Sequence, residues 1–159
     1  MSAKILTTQL EFTFYSAQRN LEGVDHFASL RAPVEGTSTI NWILGHVINT
    51  RNVMLETLGA AHGFDERGQT MYGRGTKPGG DCLTLEELRG FHATTQKTLM
   101  DALAKVDDAF LAEEVPGIFE PEEKVTRAEK LATLVFHEAY HMGQIGLIRH
   151  ALGFEPAIT

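Results

Sequence analysis

Residues 126–152 read TRAEKLATLVFHEAYHMGQIGLIRHAL. Leu134, His137, His141, Ile145, Ile148 and Leu152 recur at three- and four-residue steps, the period of an α-helix. Thr126 with Glu129 spells a capping box at the start, while Gly153 and then Pro156 mark the end. The inward stripe of this helix carries His137 and His141 about 40° apart and one turn apart, close enough for both to reach one metal ion. Two stacked core histidines without a metal would need separate partners for their ring nitrogens, so the ligand reading is preferred.

The letters HEAYH at 137–141 also spell the H-E-x-x-H of zinc proteases. That reading lacks a third ligand, because the only carboxylate after His141 is Glu155, beside Pro156. Glu138 points about 100° away from His137 and suits a supporting role. A di-iron bundle needs two E-x-x-H pairs, and EAYH is the only one in the chain. Nor does GRGTKPGG, residues 73–80, match a phosphate loop; Gly73, Gly75, Gly79 and Gly80 read as a flexible connection.

Three more helical stretches precede this one. Residues 5–30 place Leu6, Leu10, Phe14, Ala17, Leu21 and Val24 on a helical period. Ser38 reads as the N-cap of TINWILGHVINTRNVMLETLG, which ends at Gly59. Thr84 and Glu87 form a capping box ahead of residues 85–106. A Gly-rich, polar loop at 60–83 separates the second and third stretches, long enough to act as a lid. No segment shows a strand period. The pattern predicts an all-α, four-helix bundle spanning residues 1–159 as one domain, with a long loop between helices two and three.

His46 lies on the second helix, apolar almost all round, and is the candidate third ligand. His92 is its rival, in the apolar stripe of the third helix, where a core role is favoured. His150 near a helix C-terminus answers the helix dipole, and His26 and His62 need no function. Gln144, about 20° from His137 on the wheel, is placed to orient a metal-bound group. Tyr140 is a candidate acid, and Arg149 a candidate anchor for an anion or a surface carboxylate.

The chain has 159 residues, 43% of them hydrophobic, with a formal net charge of −7. Such a balance disfavours a nucleic-acid surface. One cysteine and the absence of a long apolar run lead to the expectation of a cytoplasmic protein without membrane contact.

With NWILGHVINTRN on the second helix and FHEAYHMGQIGLIRHALG on the fourth, the whole chain resembles the DinB/YfiT-like superfamily of four-helix metalloproteins. The resemblance implies metal ligands at His46, His137 and His141, a zinc or nickel ion, and a homodimer. It further implies a small-molecule substrate and activities such as thiol-dependent S-transfer or isomerisation, with a low-molecular-weight thiol as co-substrate. Three imidazoles leave a coordination position open for a thiol, or for water in a hydrolase. The alternative is a non-catalytic bundle in which a closed metal site serves stability or ligand binding.

Overall fold

The computed structural model describes residues 2–79, 81–120 and 122–158. Four long helices build the bundle: α1 (Ala3–Leu21), α3 (Ile40–Thr57), α5 (Leu85–Leu103) and α7 (Arg127–Ala151). Between them lie short helices α2 (His26–Ser29), α4 (Glu66–Tyr72) and α6 (Asp108–Ala112), and strands β1 (Glu114–Pro116) and β2 (Lys124–Thr126). Helix α7 packs against both α1 and α3, and α5 closes the other side against the same two. Helices α1 and α3 therefore stand diagonally, and α3 and α7 are neighbours.

Local chemistry sets most boundaries. Both capping boxes form, Thr84 with Glu87 and Thr126 with Glu129. Helices α3 and α7 end alike, on Gly59 (φ 71) and Gly153 (φ 90). At each end the second amide past the cap reaches back five residues, Ala60 to Leu55 and Phe154 to Arg149.

Four readings are corrected. The pattern over 5–30 splits at Gly23 (φ 73), after which Asp25 caps the separate turn α2. The N-cap of α3 is Thr39, one residue beyond Ser38, and its hydroxyl accepts the Trp42 amide. A small antiparallel hairpin pairs Val115 with Val125 before α7; three-residue strands are too short to show a period. The segment 60–83 is partly ordered by α4, while Gly80, read as part of a flexible loop, lies outside the described residues.

The apolar core falls into two clusters. One gathers Leu21, Leu44, Ile48, Leu88 and Ile145; the other gathers Leu6, Leu10, Met54, Leu99 and Leu131. Between them runs a buried polar layer containing Thr13, Arg51, His92, Thr95 and Glu138. Helix α3 has two apolar flanks, one with Val47 and Met54 and the other with Ile40, Leu44, Ile48 and Leu55; these residues are all 0–1% exposed, so the second flank serves this bundle and offers no surface to a partner. None of the described helices is long and apolar enough to cross a membrane.

Because Leu44 and Ile48 are sealed inside the chain, Leu44→Ala and Ile48→Ala should each cost about 2–5 kcal/mol of stability. Urea unfolding should give the same loss at every protein concentration. A loss that vanishes on dilution would assign this flank to a subunit contact.

Candidate metal centre

Helices α3 and α7 bring His46, His137 and His141 together. The Nε2 atom of His137 lies 3.1 Å from that of His141 and 3.4 Å from that of His46. Three nitrogens held tetrahedrally at about 2.05 Å from one ion stand about 3.3 Å apart. The rings are steeply inclined to one another, at interplanar angles of 64°, 80° and 79°, while their nitrogens converge.

Hydrogen bonds fix which nitrogens are free. The Nδ1 atom of His46 lies 3.0 Å from the carbonyl of Tyr72, which can only accept, so Nδ1 carries the proton and Nε2 the lone pair. Likewise Nδ1 of His141 donates to Oε1 of Gln144 at 2.7 Å. Nε2 of His137 can donate to one of these lone pairs but not to both. At least one lone-pair contact is left uncompensated, and Nδ1 of His137 is itself buried without a partner among the described residues. A cation at the centre resolves this contact.

A proton resolves it poorly. Burial, then the neighbouring His141 and His46, push the His137 pKa down to about 4. Burial also lowers that of His141, against the raising effect of Gln144. Both shifts favour the neutral imidazole, the state that binds divalent metals. Among the described residues no fourth histidine, cysteine or carboxylate joins the cluster.

The segment 60–83 supplies part of the site. Trp42 lies flat on the His46 ring, centroids 4.9 Å apart and planes 7° apart, and its indole N–H donates to Thr76. The Tyr72 hydroxyl donates to Asn41 and accepts the Leu83 amide, and burial raises its pKa to about 12. This clamp presses the Tyr72 ring onto α3 beside His46, where a Cβ on Gly45 would come within 2.3 Å of it. Sequence reading missed Tyr72. The available clues were a lone tyrosine in a Gly-rich loop and a glycine inside an apolar helix.

The remaining candidates separate by position. Gln144 holds His141, and its amide nitrogen donates to the Tyr140 hydroxyl at 3.1 Å, linking that exposed side chain to the cluster. Arg149 is not brought to the histidines and, among the described residues, pairs with no carboxylate. Its guanidinium donates to the carbonyls of Asn20, Glu22 and Glu155, and so ties the end of α7 to α1. His92 is buried against Phe14, outside the cluster, as a core residue. His150 is exposed in the last turn of α7. Glu138 turns into the core, away from the cluster, and pairs with Arg51.

Such a helical bundle, with a three-histidine cluster shared by α3 and α7, defines a class of candidate metalloproteins. The chain matches the DinB superfamily over residues 9–145 and belongs to it. It is also similar in structure to a conserved protein from Enterococcus faecalis, at TM-score 0.70 and 13% identity, over 96% of this chain and 98% of that one. No curated protein matches it.

Purified protein should carry about one divalent ion per chain, and His46→Ala, His137→Ala or His141→Ala should each remove most of it. His150→Ala and His92→Ala should retain it. The metal-free fold binds fewer protons at His137 than the unfolded chain between pH about 6.5 and about 4, so acid weakens it over that window. Metal should leave across the same range, measured by elemental analysis after dialysis at stepped pH. Full metal content in His141→Ala would dismiss this ligand set.

Proposed function

We propose that this chain is a metal-dependent enzyme that holds zinc or nickel on His46, His137 and His141 and activates a low-molecular-weight thiol toward a small electrophilic substrate. The observation that carries this reading is the donor set: three converging imidazoles and no fourth protein ligand among the described residues. When bound, the cation would lower the pKa of a thiol or water in the open position. Gln144 keeps the His141 lone pair aimed inward. Tyr140 accepts from Gln144 and keeps its own proton available for an incoming substrate. Water as the nucleophile, giving a hydrolase, is the second reading of the same site. The net charge of −7 favours a small molecule over nucleic acid as the partner.

In cobalt-substituted protein, added thiol should produce a sulfur-to-metal absorption band, and turnover of an electrophile should need both metal and thiol. Turnover with metal alone would select the hydrolase. A spectrum that ignores both thiols and small anions would mark a closed, structural site and end the enzyme reading.

A homodimer across the α1/α7 face belongs to the same proposal. Phe136, Tyr140 and Leu147 fall on one stripe of α7 and are 74%, 58% and 70% exposed. Phe12, 61% exposed, lines the adjoining groove between the two helices with Phe136. An apolar patch of this kind is unusual on a monomer, and a two-fold contact can cover it with itself. Light scattering at micromolar concentration should give twice the chain mass, and Phe136→Glu should halve it. A wild-type monomer would refute the dimer.

A further inference from the structure

The glutamate of HEAYH does not face the histidine cluster, and its surroundings give it another task. Glu138 is 1% exposed and Arg51 0%, and they meet through two hydrogen bonds, Nε to Oε2 at 2.9 Å and Nη2 to Oε1 at 2.6 Å. The hydroxyl of Thr13 donates to the same Oε1 at 2.6 Å. On the far side, Nη1 of Arg51 donates to the carbonyl of His92 at 3.0 Å and lies 3.4 Å from the Thr95 hydroxyl. Thr13, Arg51, His92 with Thr95, and Glu138 come from α1, α3, α5 and α7 respectively. One polar knot thus ties all four long helices between the two apolar clusters.

We propose that the Arg51–Glu138 pair positions the metal centre by fixing the rotation and height of α7 against α3. Glu138 is the residue between the two α7 ligands that follows His137 directly, and Arg51 lies five residues beyond His46 on α3. Backbone atoms of a helix sit about 2.3 Å from its axis, so an imidazole Nε2 lies about 6 Å out. A 10° rotation of α7 therefore moves each ligand nitrogen by about 1 Å, against a tolerance of about 0.2 Å in metal–ligand distances. Apolar contacts are non-directional and resist such a rotation weakly. A two-pronged guanidinium–carboxylate contact has a fixed plane and resists it well. Stability alone is a poor reason for the pair, since apolar residues of similar volume often serve a buried core as well or better.

This inference rests on the metal reading of the three histidines, so wild-type protein is measured alongside every variant. The variants are Arg51→Met with Glu138→Leu, and Thr13→Val, which removes one hydroxyl and keeps the pair. Three quantities are read: thermal unfolding of metal-free protein, zinc affinity by chelator competition, and the visible spectrum of the cobalt form. The double variant should unfold cooperatively while its zinc affinity falls by about 10–100-fold and its cobalt bands shift. Thr13→Val should give a smaller loss in the same direction. A double variant that folds with wild-type zinc affinity and cobalt bands overturns the proposal. Should the double variant not fold, a third variant, Arg51→Lys, decides, because it keeps the charge and loses the two-pronged contact: lowered zinc affinity with shifted cobalt bands upholds the proposal, and unchanged values overturn it. Wild-type protein that binds no zinc or cobalt fails the metal reading itself.

Discussion

A carboxylate and a guanidinium almost without solvent contact sit between the two halves of the core. Neither charge is tolerable there alone, since losing one partner leaves a buried charge whose cost is several kcal/mol. Further partners are the Thr13 hydroxyl on α1 and, on α5, the His92 carbonyl and the Thr95 hydroxyl. The four helices can slide or turn only by breaking that set. Two apolar clusters supply the bulk of the burial, and the polar layer supplies direction.

The histidine cluster extends the same logic toward the surface. Each of two imidazoles has its Nδ1 proton committed, to the Tyr72 carbonyl and to Gln144, which aims both Nε2 lone pairs at the third ring. Burial and mutual proximity hold His137 neutral well below ordinary pH. The result is a preorganised set of nitrogens with more lone pairs than protons at its centre, an arrangement suited to a divalent cation.

Segment 60–83 belongs to this site more than its composition suggests. Its helix α4 ends on Tyr72, whose backbone orients His46 and whose ring packs on Gly45. Thr76 holds the indole that covers the same imidazole. Any lid motion of this segment would therefore disturb the ligand it supports.

Periodicity and caps were legible because they are local: the 126–152 stripe, both capping boxes and the terminal glycines need only neighbours within a few residues. The His137–His141 pair was legible for the same reason, since one helix carries both, and His46 followed from an apolar helix with one imidazole in it. Arg51 and Tyr72 were not legible, because their partners lie 87 and 26 residues away and nothing local announces them. Arg149 reads as an anchor for an anion or a surface carboxylate, whereas the helix end brings three carbonyls to it. That both apolar flanks of α3 belong to one core was likewise settled by the neighbours that cover them. Short-range hydrogen bonding and helical period thus determined the elements and two of the candidate ligands. How α3 faces α7, and which buried polar groups meet, was decided only by packing, where contacts distant in sequence compete for the same few partners.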